Sequence, residues 1–399
     1  MEYVHMTRYL RNTLKRRSRI FSIILVSFSL IFILQYQVHR QRNRSFDEVK
    51  TLLDQLFDPL ISLHDVQRIW NELIYIWKEI LIKFFNDAYR LCHENPLDFN
   101  LTDYIHHINQ SFYPFNDLKR PNGMGIYYYF DLKTFHSLNN SILPTYVTYC
   151  DYFHMIKLLM NVQLILHRTK IQYFLTKGTL IGTLRHHDII PWDTDIDLFI
   201  PDDSVDRLID AFNRLNQTYQ HDLIIYRFKN IYGLISYKIF SKYSPIVNGT
   251  NYHWPKIDLF PYRENSTHIY ASPKHRHNLG TMNYMNKTDL EPIYLRLLGP
   301  ILVPSPNHPR RSLKRMIQLG QSNLFHVCEG NTFSHRFNEQ IKEPWRLPCY
   351  ELQKSYLFVQ SHYNSSNSLC SEQLISSQFN QSLSFYIYKC TEYLPRTII

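Results

Sequence analysis

Three acids stand at alternate positions in the stretch "IPWDTDIDLFIP": Asp193, Asp195 and Asp197, set among Ile196, Leu198 and Phe199. In a strand, residues two apart face the same way. Asp195 and Asp197 therefore project side by side, while Ile196 and Leu198 point to the opposite, buried face. Adjacent carboxylates repel unless a positive charge lies between them. A hard divalent cation with oxygen ligands, Mg²⁺ or Mn²⁺, is the natural partner, and Mg²⁺ typically takes one or two carboxylates plus substrate phosphates. Asp193 is read more plainly, as a cap of the turn after Pro191-Trp192 or a solvated strand end.

Just upstream, "KGTLIGTLRH" places Gly178 where a strand gives way to a helical turn. A glycine there leaves room for a ligand, and backbone N–H groups at a helix start attract phosphate oxygens. Arg185, in the same segment, is expected to supply a bidentate phosphate contact. Asp258 lies between Ile257 and Leu259 in "PKIDLFPY", so alternation turns it away from its apolar neighbours. A lone D-x-D pair is common, and a Gly-Thr turn commoner still. A phosphate cradle, a D-x-D strand and a third acid in this order describe phosphoryl or nucleotidyl transfer.

These residues need a sheet to hold them. A helix is expected over "TYVTYCDYFHMIKLLMNVQLILHRTK", then a short strand "IQYFLT", a helical turn, and the strand "DIDLFI" ended by Pro201. The run "DDSVDRLIDAFNRLNQ" reads as a helix with acids in its first turn, where the macrodipole favours them. Three strand-like runs follow, "DLIIYRF", "GLISYKIF" and "KIDLFPY", and then a helix near Arg310 to Leu319. The fold class is α/β (α+β), with one central mixed sheet flanked by helices. Residues 46–93 repeat apolar positions at three- and four-residue steps, as a stem or as a helix laid on the catalytic domain. A self-associating face is the other use of that stripe.

The 399 residues carry a formal charge of +10, which suggests nucleic acid until it is located. Residues 1–44 hold +8 of it and the rest only +2, so nucleic acid is set aside. Inside the basic segment lies "IFSIILVSFSLIFILQYQV", Ile20 to Val38, with no charge over nineteen residues. At ~1.5 Å per residue this spans a hydrocarbon core of about 30 Å. The flanking charges favour a cytoplasmic N-terminus and a lumenal remainder. A short span suits the endoplasmic reticulum or Golgi membrane. Ten N-x-S/T sequons spread over the lumenal part agree. Six cysteines default to disulfides in an oxidising lumen, with the pairing left open. His326, Cys328 and His335 fit no strong zinc spacing. The expected organisation is a cytoplasmic tail (1–19), a single-pass type II signal-anchor (20–38), a lumenal helical stem region (39–145), a catalytic domain (146–320) and a cysteine-containing extension (321–399).

The stretch "GTLIGTLRHHDIIPWDTDIDLFIP" resembles the signature of the LicD family, which includes fukutin and fukutin-related protein. The matching positions are Gly178 and Thr179, Asp195 and Asp197, and Asp258 in "KIDLFPY". The run "LEPIYLRLLGPILVPSPNHPRRSLKRMIQLG" resembles the family's apolar-then-proline segment, with Leu319-Gly320 in place of its usual Tyr-Gly. The resemblance covers roughly residues 150–320. It implies a nucleotidyltransferase-type fold and a type II layout. It also implies transfer of a phosphorylated alcohol, as from CDP-choline or CDP-ribitol, to a glycan hydroxyl with release of CMP. Gly178 and Thr179 would lie at the nucleotide phosphates. Asp195 and Asp197 would hold Mg²⁺ or Mn²⁺, and Asp258 would share a metal or help take the acceptor proton. The rival readings are a Golgi glycosyltransferase using D-x-D and a non-catalytic glycan-binding relative.

Overall fold

The computed structural model describes residues 46–56, 62–92, 100, 103–107, 123–127, 147–219, 222–229, 235–271, 284–317, 326–330, 333–342, 345–353, 356–364, 369–376 and 381–389. The stretch 20–38 lies outside them. Among the described residues no helix is long and apolar enough to cross a membrane. The chain divides into two compact units, residues 1–51 and 52–399. Helix α1 (Phe46–Leu56) begins in the first, and the elements below belong to the second.

Helix α2 (Leu63–Cys92) is amphipathic rather than uniformly apolar. Its Trp77, Leu81, Phe84 and Phe85 join Phe153, Ile156 and Leu159 of helix α3 (Tyr149–Arg168) in one core. Each such buried side chain contributes roughly 2 kcal/mol relative to exposure. Helix α2 is thus laid on the domain that carries the D-x-D strand. Its apolar stripe is buried within its own chain. Helix α3 starts at a capping box in which Thr148 and Asp151 satisfy each other's backbone N–H.

The central sheet is mixed. Strand β2 (Phe174–Leu175) leads into helix α4 (Lys177–Arg185), strand β3 (Ile196–Pro201) and helix α5 (Val205–Tyr219). Strands β4 (Leu223–Lys229), β5 (Ile235–Ser241) and β6 (Lys256–Glu264) complete the order β2-β3-β6-β5-β4. Strands β7 (His268–Ala271) and β8 (Tyr284–Asn286) extend it from the far end of β6. β3 and β6 run parallel, and the other pairs are antiparallel. Ile196, Leu198 and Ile200 alternate onto the core with Ile257 and Leu259.

Gly182 explains the second glycine of the motif. A Cβ there would stand 2.4 Å from Asp188 O, so only glycine lets the 186–191 loop cross α4. After β8 come helix α6 (Lys287–Leu290), the hairpin β9 (Tyr294–Leu298)–β10 (Ile301–Ser305) and helix α7 (Pro309–Ile317).

The extension is not a tail. It forms β11 (Val327–Glu329), β12 (Phe333–Ser334), β13 (Glu339–Gln340), β14 (Arg346–Pro348), α8 (Cys349–Leu352), β15 (Val359–Asn364), β16 (Leu369–Ser376) and β17 (Gln381–Lys389). Strand β1 (Gly123–Tyr127), from far upstream, joins the last three in a sheet ordered β1-β17-β16-β15. Disulfides join Cys92 to Cys150 and Cys328 to Cys349, and Cys370 is also disulfide-bonded.

Candidate active site

Two rows of side chains on one face of the central sheet make the site. Residues paired across neighbouring strands share a face. In one row Asp197 of β3 pairs with Asp258 of β6, and Asp258 pairs with Lys238 of β5. One step along, Ile196 pairs with Ile257, which leaves Asp195 beside Lys256. Asp195, Asp197 and Asp258 are therefore brought together as their alternation predicts, and all three are buried.

The lysines were not anticipated. Lys256 is wholly buried, with Nζ 2.7 Å from Asp195 Oδ2 and 2.8 Å from Asp258 Oδ2. Lys238 Nζ donates to Asp258 Oδ1 at 2.9 Å and to Oδ2 at 3.1 Å. The rings of Phe228 and Tyr252 flank that ammonium at 4.5 and 4.9 Å. A third lysine, Lys177, lies at the open edge. Its Nζ is 3.8 Å from Asp197 Oδ1 and 3.1 Å from the centre of the Phe260 ring, and its side chain is 43% exposed.

The motif upstream of β3 supports this face. Thr179 Oγ1 accepts the Asp197 N–H at 2.8 Å, which pins the start of β3 to α4. Gly178 makes room for an acid: a Cβ there would meet Asp193 Oδ2 at 2.4 Å. Asp193 is no solvated strand end. It is buried beside the cluster, and its Oδ1 accepts the Thr194 N–H at 2.9 Å.

Arg185, expected at a phosphate, points elsewhere. Its buried guanidinium donates from Nη2 to Val327 O at 3.1 Å, and burial pushes its pKa down to about 10. Seven residues of helix carry it about 10 Å along the axis from Gly178, toward β11.

The extension reaches the site as well. His335, in the turn between β12 and β13, places Nε2 3.3 Å from Asp195 Oδ2. The hairpin is held by Asn338 donating to Asn248 O at 3.0 Å. Arg336 pairs with Asp151 at 2.9 Å and lies over the Trp254 ring. Cys328 is committed to Cys349 and His335 to Asp195, so this histidine and this thiol belong to no shared zinc site.

The electrostatics are unequal across the rows. Burial opposes ionisation of Asp195, but Lys256 and then His335 outweigh it and hold the carboxyl below its ordinary value. Burial likewise works against the Asp258 carboxylate, and Lys256 and Lys238 bring it below its usual range. Asp197 is pushed up to about 7 by burial and by the charges of Asp195 and Asp258, which Lys177 only partly offsets. Asp193 is raised too, by burial and then by Asp195 and Asp197.

Negative charge thus exceeds what the lysines answer. One oxygen from each of Asp195, Asp197 and Asp258 lies within 4.8 Å of the others. Carboxylate oxygens at this spacing, with charge to spare, suit a hard divalent cation.

The signal for Lys256 was present in "KIDLF", because Lys256 and Asp258 are two apart on one strand. Lys238 is marked by its lone charge in "ISYKIF", though its partner is not. Nothing near His335 announces its position.

Residues 170–308 match the family model described as "LicD/FKTN/FKRP, nucleotidyltransferase domain". A curated relative, "Lipopolysaccharide cholinephosphotransferase LicD" of Haemophilus influenzae, is 39% identical over 71 residues. That match covers 18% of this chain and 23% of the relative, less than a quarter of its length. The matched region contains α4, β3 and β6, the elements that assemble the acid-and-lysine face. Over residues 170–308 the chain is thus similar to the LicD family.

Proposed function

We propose that this chain is a metal-dependent transferase. It moves a phosphorylated alcohol from a CDP-activated donor to a glycan hydroxyl. The observation that carries this reading is the convergence of Asp195, Asp197 and Asp258 on one face of β3 and β6. These acids would hold Mg²⁺ or Mn²⁺, and the ion would neutralise charge on the donor pyrophosphate. Lys177, half-exposed at the edge, is free to swing from the Phe260 ring to a phosphate oxygen. Thr179 keeps β3 in register with the helix start.

In the reaction the glycan oxygen bonds to the phosphorus next to the alcohol. The bond from that phosphorus to the oxygen bridging it to CMP breaks. CMP leaves with the bonding electrons, and the hydroxyl proton passes to solvent. The resemblance and the partial likeness to a cholinephosphotransferase support this choice of donor over nucleotide sugars. We place the site in the lumen of the Golgi or endoplasmic reticulum, on a type II anchor. That placement is supported by the uncharged stretch 20–38 and the sequons. Among the described sequons, Asn248 and Asn265 are exposed.

The test is a donor screen with the detergent-solubilised full chain. CDP-choline or CDP-ribitol should yield CMP with Mg²⁺ or Mn²⁺ and an acceptor glycan, and chelation should stop it. Release of UDP from UDP-sugars, with none of CMP from any CDP-alcohol, would replace this reading with the glycosyltransferase one.

A further inference from the structure

We propose that Lys256 is a built-in cation. Its ammonium takes the place of a second metal ion between Asp195 and Asp258, so that the site holds a single exchangeable divalent ion, on Asp195 and Asp197. The inference rests on the metal-dependent reading above; it takes Asp258 out of the ligand set named there and limits the site to one ion.

Sites with two metals place the ions roughly 3.5–4 Å apart, held by shared carboxylates. Acids on adjacent strands could build such a pair. Here the space between Asp195 and Asp258 is already filled. Lys256 Nζ bridges them at 2.7 and 2.8 Å, and Lys238 holds both oxygens of Asp258. Asp258 thus anchors two ammonium groups and is poorly placed to serve as a metal ligand as well.

Lys256 cannot step aside. Its relative exposure is 0%, its backbone lies inside β6 between β3 and β5, and its charge has left water altogether. A lysine buried so completely needs its two carboxylates to offset the lost hydration. Lys177 makes the opposite case: 43% exposed and 3.8 Å from Asp197, it is able to yield its position. The two lysines at either side of the D-x-D pair therefore differ in kind. One is a fixed part of the site, and the other is displaceable. A fixed ammonium supplies positive charge beside the reacting phosphates without depending on a second ion's concentration.

The experiment is a Mn²⁺ titration of the full-length chain in detergent, with and without CDP. Bound ion is counted from the paramagnetic resonance signal of free Mn²⁺. The wild type should bind one Mn²⁺ per chain. Lys256→Ala opens space and removes the ammonium that Asp195 and Asp258 share, so it should bind two. Lys256→Met keeps the volume but removes the charge. It should still bind one, with Kd lowered by about tenfold or more because a like charge has gone.

Two Mn²⁺ in the wild type would overturn the inference and leave the proposed transfer standing. So would a folded Lys256→Ala that still binds one, or a Lys256→Met with unchanged Kd. No Mn²⁺ in the wild type, with or without CDP, would instead defeat the metal-dependent reading and this inference with it.

Discussion

Two clusters of buried charge stand out among the described residues, and they are built on different terms. On the β3–β6 face, Asp193, Asp195, Asp197 and Asp258 meet the buried ammonium groups of Lys256 and Lys238. Between β9 and the C-terminal sheet, Glu372 meets Arg296, which it pairs with directly. Glu372 also accepts from Tyr388 at 3.1 Å and lies 3.2 Å from His187, whose other ring nitrogen meets Ser384. The rings of Tyr386 and Tyr388 cover the guanidinium.

In the second cluster one carboxylate faces the guanidinium of Arg296, and Arg310 adds positive charge nearby. Burial opposes the Glu372 charge, yet Arg296 and His187 bring its pKa down to about 2. In the first cluster the acids outnumber their cations, and Asp197 is left at about 7. A cluster whose acid is fully answered by cations holds two layers together. A cluster with charge left over needs something more to complete it. Burial alone does not mark function; burial with an unmet charge does.

The comparison can be broken by substitution. The largest effect is expected on the unbalanced face. Asp197→Asn removes charge at nearly constant shape, so CMP release should fall roughly 10²–10³-fold. Thermal unfolding of the metal-free protein should not worsen, because a like-charge repulsion has gone. Full turnover in this variant would remove Asp197 from the site.

Glu372→Ala should do the reverse. It strands the buried Arg296, at a cost of about 3–5 kcal/mol in denaturant unfolding. Turnover per folded molecule should stay near wild type. Replacing both partners, as Glu372→Leu with Arg296→Met, should recover most of the loss. A Glu372→Ala that unfolds like wild type would show that the balanced cluster holds nothing.

A smaller effect is expected where a single acid is partly buried without a cation in contact. Burial pushes Asp188 up to about 7, although Tyr152 OH and the Ile189 N–H donate to it. Between pH 4 and 7 the folded state therefore holds a proton that the unfolded state has lost. The stabilisation is complete below the unfolded pKa and is lost as pH rises through the folded one. Unfolding free energy should drop by about 2 kcal/mol from pH 5 to 8, and Asp188→Asn should flatten that slope. An equal slope in both proteins would assign the pH dependence to other groups.

Gly178→Ala should change stability least. Helix propensity favours alanine by about 1 kcal/mol, and displacing the Asp193 carboxylate costs a similar amount. Turnover is the sharper readout: about a tenfold loss would show that Asp193 supports the site. No loss would confine the glycine's role to the helix.

Much of the site was legible because strand geometry is local. The alternation of Asp195 and Asp197 against Ile196 and Leu198 requires only that the segment be a strand. The same parity ties Lys256 to Asp258 within β6. The glycines were legible as features but not in their purpose. A Cβ at Gly178 would meet Asp193 and one at Gly182 the 186–191 loop, both atoms of this chain. Arg185 is near Gly178 along the chain but not in space, because the helix between them separates the two ends.

The sequence by itself determined which segments alternate, which acids share a face and where the helices begin. Those depend on interactions a few residues apart. Only the tertiary structure decided that β3 lies beside β6 in parallel, so that Asp197 meets Asp258 and Asp195 meets Lys256. It alone set Lys238 against Asp258 across β5, and it alone carried His335 back from the extension to Asp195. The physical reason is that strand pairing and docking are chosen by the burial of whole faces. That choice compares many distant residues at once, and no local spacing records it.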